Sequence, residues 1–463
     1  NPLDPNGFAG RGDTLATLRM FDQAVGDYSE AIRLDSSHSG AYAGRGIALA
    51  EQGRLEAALA DLNQAIKLNP KFANAYSYRG ALHAQRGQNE QALADYDTLI
   101  GLDPGYSGVH KDRGGVLVRL GRFDRAIEDL NEAIRLDPKR ATAYQNRGAA
   151  YNGLGQYERA IDDLSEAIRL NPENAGAYTN RGLACFAIGR YDQAIVDLSE
   201  AIQLAPRNAI PYFNRAEVFA RLGLRDRALE DYGAAIRLEP RLTAAHAASA
   251  RIHNEKGQQA EVIHDFDMAL QLDPKEIRLW EDRGNARREQ GDWLGALADF
   301  DRAVVLSPKR AETYVVRGWS RLSAGVDGAD LDARAYLAIK GWREGLSPYM
   351  AVLAVVGARA AARPQQAQSI LDEALVNLAP RTWPVPILRY LKGDLTAPAL
   401  LHAAVSDRQQ AEAHLFIGLD KMQAADRSEA LSHLRWVQEH AAPGSIATDV
   451  ANATLARVAP THP

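Results

Sequence analysis

One motif returns every 34 residues along this chain, and that spacing restricts the possible folds more than any other property. Tyr144 opens YQNRGAAY, Tyr178 opens YTNRGLA and Tyr212 opens YFNRAEV. Extended in both directions without a gap, the period gives nine units beginning at residues 5, 39, 73, 107, 141, 175, 209, 243 and 277, with a decaying tenth from 311. A repeat of this length is one supersecondary unit that buries its apolar face only against the next copy.

With the places in each unit numbered 1 to 34, position 8 is Gly in seven units, with Ala216 and Ala250 in the other two. Position 20 is Ala except at Val262, position 27 is Ala except at Leu99, and position 32 is Pro except at Ser36. Position 4 is usually aromatic (Phe8, Tyr42, Tyr76, Tyr144, Tyr178, Tyr212, Trp280), and position 24 is large and apolar throughout. Positions 4, 8 and 11 share one face at helical spacing, as do 20, 24, 27 and 28. Small residues at 8 and 20 let two helices approach, and the bulky ones at 4 and 24 fill the remaining volume. A Gly at position 15, from Gly53 to Gly291, is placed to end the first helix in left-handed geometry. The Pro at 32 ends the second, because the residue before Pro is pushed out of the α region. The pattern predicts two helices of about 14 residues per unit, each about 21 Å long.

Period and signature positions resemble the tetratricopeptide repeat over residues 1–325. The resemblance implies an all-α, right-handed α-solenoid superhelix, with divergent helical hairpins after the array. One departure stands out. The family's usual Leu at position 7 is Arg in eight of the nine units, with Ser249 the exception, and position 23 is Asp in all nine. The helical wheel places both at the rim of the helix pair. A ladder of Arg–Asp ion pairs is expected there, each exposed rung contributing about 0–1 kcal/mol.

The domain division expected from the sequence is an array over 1–325 and a divergent helical region over 326–463. Residues 331–343 look like a displaced second helix of the tenth unit, and 347–380 like a divergent hairpin. Trp383-Pro384-Val385-Pro386 interrupts the helices. Two short helices should follow, the second capped by Thr396 with Pro398 in its first turn. Residues 411–444 recover the pattern, with Gly418, Ala430 and Leu434 at positions 8, 20 and 24, and 445–458 should form a capping helix with Ser445 as its N-cap. The segment WPVPILRYLKGDL and the hairpin after it resemble the tail of bacterial NlpI-like repeat proteins, which implies a bacterial source.

Composition limits the function classes. A formal net charge of −5 argues against nucleic acid as the main ligand. The single Cys185 excludes a disulfide framework and a cysteine-rich zinc site, and its place in the buried stripe marks it as an inert small hydrophobe. No apolar run reaches the roughly 20 residues of a membrane span, and Met350–Ala362 reads as a buried helix. No signal peptide is visible. The chain starts with Asn1-Pro2, where later units carry Asn69-Pro70 and Asn171-Pro172, so an upstream segment is expected. The compartment expected is the cytoplasm, with the periplasm as the alternative that the NlpI resemblance implies.

No nucleotide-binding glycine loop, nucleophile elbow or HExxH is present, and no catalytic residue, metal or cofactor is expected. His246 and His253 stand at positions 4 and 11 and read as core substitutes. His433 and His440 share that spacing without a carboxylate or third ligand. Arg11-Gly12-Asp13 spells an adhesion tripeptide but falls on the repeat's own positions 7 and 8. Asn452-Ala453-Thr454 is a glycosylation sequon by letters only, in a predicted helix.

The expected chemistry is therefore recognition. In the family the first helices line the concave surface, and the wheel turns positions 2, 6, 9 and 13 into it. In the units from 107, 141 and 175 these places are mostly small (Gly108, Gly115, Ala149, Gly153, Gly176, Ala187), leaving space for a partner's backbone. Position 6 is Asn in three successive units, Asn146, Asn180 and Asn214, flanked by Asp112 and Ala248. An Asn amide donates to and accepts from a peptide group at once. The row resembles the short-range equivalent of the asparagine ladder in O-GlcNAc transferases, which implies grip on an extended peptide. Leu183, Phe186, Ile210 and Phe213 would supply an apolar pocket beside it. The chaperone-tail carboxylate clamp fits poorly: Lys111 and Asn146 match, but Gly115, Gly176 and Asn180 do not.

These readings point to a protein–protein interaction scaffold that holds a peptide or protein in its groove. The alternatives are a regulatory region of a larger protease or kinase whose catalytic domain lies upstream, and a purely structural homo-oligomer.

Overall fold

The computed structural model describes residues 4–380 and 382–458, so Asn1-Pro2 lies outside the described residues. Everything regular among them is helical, and the helices fall in antiparallel pairs. Two compact units emerge, Asn1–Leu238 and Glu239–Pro463. The division at 325/326 marks where the sequence loses its period. We retain it as a proposal for the end of the regular array, while contacts divide the chain at 238/239.

The first unit is a stack of seven hairpins. The hairpin of Ala141–Gly153 and Tyr157–Leu170 typifies it, with 13 residues in the first helix and 14 in the second. Each first helix packs on its own second helix and on the hairpins before and after. The place of Gly at position 8 has a steric cause: a Cβ on Gly148 would lie 2.6 Å from Cγ of Leu164, the position-24 side chain of the same hairpin. Position 15 is left-handed in every regular unit, from Gly53 at φ 75° to Gly291 at φ 79°. In the first unit Arg19 holds the same conformation at φ 60°. Position 31, before the Pro, leaves the helix at φ near −140° (Asp137, Asn171), as expected of a residue preceding Pro. The polar tip of position 4 finds the carbonyl of the preceding Pro: Tyr76 Oη donates to Pro70 O at 3.3 Å and Trp280 Nε1 to Pro274 O at 3.0 Å. His246 does the same to Pro240 O at 3.1 Å, a core substitute that keeps the tyrosine's hydrogen bond.

The Arg–Asp ladder is present, and it differs from a solvated rim. Arg147 grips Asp163 with Nε and Nη2, both at 2.7 Å, and the same fork joins the seven other Arg–Asp pairs of the nine units. Beyond the first hairpin the carboxylates are buried: Asp197 and Asp299 are 1% exposed. The third nitrogen, Nη1, reaches back to position 25 of the preceding hairpin. Arg79 thus meets Asn63 at 2.6 Å, Arg147 meets Asn131 at 2.7 Å and Arg215 meets Ser199 at 2.9 Å. The wheel located the pair correctly, but it treats one hairpin alone, and the neighbouring hairpin covers the rim. Six of these eight guanidiniums also lie beside their own position-4 ring, as Arg283 does at 5.0 Å from the Trp280 centroid, while Arg215 lies over Phe219 instead. Where Ser249 interrupts the series, His253 Nδ1 stands 3.0 Å from Asp265 in its place, a polar role that reading it as a core residue did not include.

The second unit starts with hairpins of the same kind and then changes. Ala329–Lys340 completes the tenth hairpin, and Ser347–Ala360 with Pro364–Asn377 forms the divergent one. The short helices Val385–Lys392 and Ala397–Ala403 follow, and the Thr396 hydroxyl accepts from Ala399 N at 3.4 Å. Asp407–Gln423 and Arg427–His440 restore the hairpin, with Gly418 against Leu434. The last helix, Ile446–Val458, is capped by Ser445 as expected. It covers more than the end of the stack. It packs on Ala311–Ala324 as well as on its sequence neighbours, the Arg457 guanidinium donates to Ser323 O, and Asp449 pairs with Arg288. Within this unit the chain therefore closes on itself around one continuous core running from Ala311 to Ala451.

Candidate peptide-binding face

All eight candidate residues lie in the first unit, on the first helices Ser107–Arg119, Ala141–Gly153, Ala175–Ala187 and Ala209–Arg221. These helices touch one another in order, so position 6 recurs along one face. Asn146, Asn180 and Asn214 are each half-buried. None of their side-chain amides has a hydrogen-bond partner among the described residues. None of their amide atoms is among the buried unpartnered ones, so these three keep their capacity by facing solvent. Asp112, at the same register, is held by Lys111 at 2.5 Å.

The apolar group divides. Leu183 and Ile210 are each 40% exposed. Phe186 and Phe213 are half-buried and used internally: Phe186 packs on the Cys185–Leu198 core with its ring 6.0 Å from that of Tyr191, and Phe213 lies 5.9 Å from the ring of Tyr232.

The small residues serve the protein itself. A Cβ on Gly115 would meet the Asn146 amide nitrogen at 3.0 Å, one on Gly176 would meet that of Gln145 at 2.7 Å, and one on Gly108 would meet the Tyr106 ring at 2.9 Å. Gly153 is covered by the ring of Phe123. The expectation that these glycines leave room for a guest backbone is thus corrected. Side chains of the adjoining segments occupy that room, and the wheel of one helix does not contain them. Asn146 leans on Gly115 in this way with its amide still unpaired.

Asn152 belongs with this group and was missed. Its Nδ2 donates to Asn180 O at 2.9 Å, tying two successive hairpins together, while its Oδ1 is buried without a partner. Position 12 lies on the flank of the groove, where one Asn among varied residues has no pattern to reveal it. Cys185 is buried, and burial pushes its thiol pKa up, which suits an inert side chain.

Among the described residues no three His, Cys, Asp or Glu side chains are grouped to hold a metal ion, and no helix is long and apolar enough to cross a membrane. His433 meets His414, a residue the sequence reading left aside, at 2.8 Å between their Nδ1 atoms. Trp436 stacks between His414 and His440 at centroid distances of 3.9 and 4.4 Å.

Profiles described as TPR repeat match residues 46–85 and 182–223, and profiles described as tetratricopeptide repeat match 10–64, 79–145, 141–174 and 251–318. No curated relative matches by sequence. Among solved structures, the chain is similar to a tetratricopeptide repeat protein from Parabacteroides merdae (18% identity, 54% of this chain and 98% of that one, TM-score 0.44). It is also similar to TTC0263 from Thermus thermophilus (25% identity, 39% and 98%, TM-score 0.35) and to YrrB, described as having an unusual peptide-binding site (20% identity, 41% and 98%, TM-score 0.35). The profile matches together cover more than half of the residues and fall on the same hairpins that the 34-residue period defines, so the chain belongs to the tetratricopeptide repeat family.

Proposed function

We propose that this protein is a scaffold whose first unit holds an extended peptide segment of a partner protein across Asn146, Asn180 and Asn214. One observation carries the reading: three side-chain amides at the same register of successive hairpins, each without a partner among the described residues. Polar groups held at one spacing on rigid helices can each exchange a donor and an acceptor with successive peptide groups of an extended chain. Leu183 and Ile210 stand exposed on the same helices and supply the apolar contact that would favour a Leu, Ile or Val in the guest.

The test is a random-peptide display selection against the full chain, followed by affinity measurement of the best peptide with Asn146→Ala/Asn180→Ala/Asn214→Ala. Each amide lost costs about 1 kcal/mol, so the triple variant should bind roughly a hundredfold more weakly with an unchanged helical signal. Equal affinity for the variant and the parent would remove the row from the binding site.

A further inference from the structure

The second unit holds a partly open chamber of about 700 Å³, within the size range of sites that take small ligands. Its wall comes from the helices Ala311–Ala324, Ser347–Ala360 and Asp407–Gln423 and from the loop leading into the last helix. Val315, Trp319, Met350, Leu415, Phe416 and Ile446 give it an apolar surface. In the repeat register Val315 and Trp319 are positions 5 and 9, and Leu415 and Phe416 are positions 5 and 6 of the unit from 411. Position 6, which is Asn in three successive hairpins of the first unit, thus carries Phe416 here. The rings of Trp319 and Phe416 lie 6.3 Å apart, across helices almost a hundred residues distant in sequence.

The polar groups of the wall narrow the ligand class. Glu412 is buried and already engaged: it accepts from Trp383 Nε1 at 2.5 Å, Tyr349 Oη at 3.3 Å and Arg408 Nε at 2.9 Å. Arg408 is thereby neutralised, and Asp407 leaves the wall with at most one net negative charge. A carboxylate would meet that charge, and a cation would find its strongest partner, Glu412, already satisfied. Moving either from water into an apolar chamber costs several kcal/mol. His440 Nδ1 lies 2.9 Å from the carbonyl of Trp436, which can only accept, so in the neutral ring Nδ1 donates and Nε2 is left as an acceptor with no partner among the described residues.

We propose that this chamber is a binding site for an uncharged, apolar small molecule carrying one hydrogen-bond donor, of the class of a long-chain alcohol. The return of the last helix onto Ala311–Ala324 supplies one wall, so the site exists only when the second unit is closed.

The uncharged fluorophore N-phenyl-1-naphthylamine tests this on the full chain. It should bind saturably at one site, accept energy from Trp319 in a way that Trp319→Phe reduces, and be displaced at least tenfold more effectively by decan-1-ol than by decanoate or decyltrimethylammonium. Ala442→Trp, at an exposed point of the loop, should weaken binding at least tenfold. If that variant unfolds, Ile446→Lys takes its place, because Ile446 is 45% exposed and tolerates a polar chain. The proposal is overturned by non-saturable binding, by a preference for either charged competitor, or by folded wall variants that bind as the parent does. Displacement of the fluorophore by a peptide selected on the first unit, but not by decan-1-ol, would also overturn it, by assigning the chamber to the partner.

Discussion

Arg181→Ala should cost far more than a surface ion pair is worth. The Arg181 guanidinium holds Asp197 through Nε at 2.8 Å and Nη2 at 2.7 Å, and its Nη1 reaches Ser165 of the preceding hairpin at 3.1 Å. The two side chains are 18% and 1% exposed. Removing the guanidinium leaves a buried carboxylate with Gln193 Nε2, at 3.0 Å, as its remaining side-chain donor. Breaking a buried pair from one side costs about 3–5 kcal/mol. We expect the lower end, about 3 kcal/mol, because Gln193 stays and water can enter at the hairpin edge. Replacing both partners, as Arg181→Leu with Asp197→Leu, should recover most of that loss, since no charge is then left unpaired. The assay is urea unfolding followed by tyrosine fluorescence and circular dichroism, arranged as a double-mutant cycle. Arg11→Ala is the control, because its side chain is 62% exposed; its effect should be much the smaller. A coupling energy below about 0.5 kcal/mol, or equal effects at Arg181 and Arg11, would show that these rungs behave as solvated surface pairs.

Two further predictions follow from local geometry. Arg19 occupies at φ 60° the place where the regular units carry Gly, so Arg19→Gly should stabilise the first hairpin by about 1 kcal/mol; slower amide hydrogen exchange in Pro5–Leu34 would show it, and faster exchange would contradict it. Burial, with the nearby His433 and His440 charges, holds the His414 pKa down at about 4, below its ordinary 6.5. A base whose folded pKa is depressed favours the folded state fully above about 6.5. That contribution is lost as pH falls toward 4, since the unfolded chain takes up the proton first. The second unit's thermal midpoint should therefore drop across that window, and His414→Phe should flatten the drop; an equally steep fall in the variant would place the titration elsewhere.

The sequence alone determined the hairpins, their lengths and their turns, because those depend on contacts within 34 residues. Gly at 8 against a bulky residue at 24, Gly at 15 and Pro at 32 are local requirements, and each recurs often enough to be read from one chain. The pairing of positions 7 and 23 was legible for the same reason, since both partners belong to one hairpin. Burial of that pair was not, because the Nη1 contacts to Asn63, Asn131 and Ser199 come from the preceding hairpin. The asparagine row was visible as a recurrence, whereas the filling of Gly115, Gly176 and Gly153 by neighbouring side chains and the tie from Asn152 to Asn180 were not. The chamber lay furthest from view: Trp319, Met350, Phe416 and Ile446 share no spacing, and only the return of Ile446–Val458 onto Ala311–Ala324 brings them together. A periodic sequence specifies what each unit needs from the next, and contacts made once, across a hundred residues or more, leave no period to read.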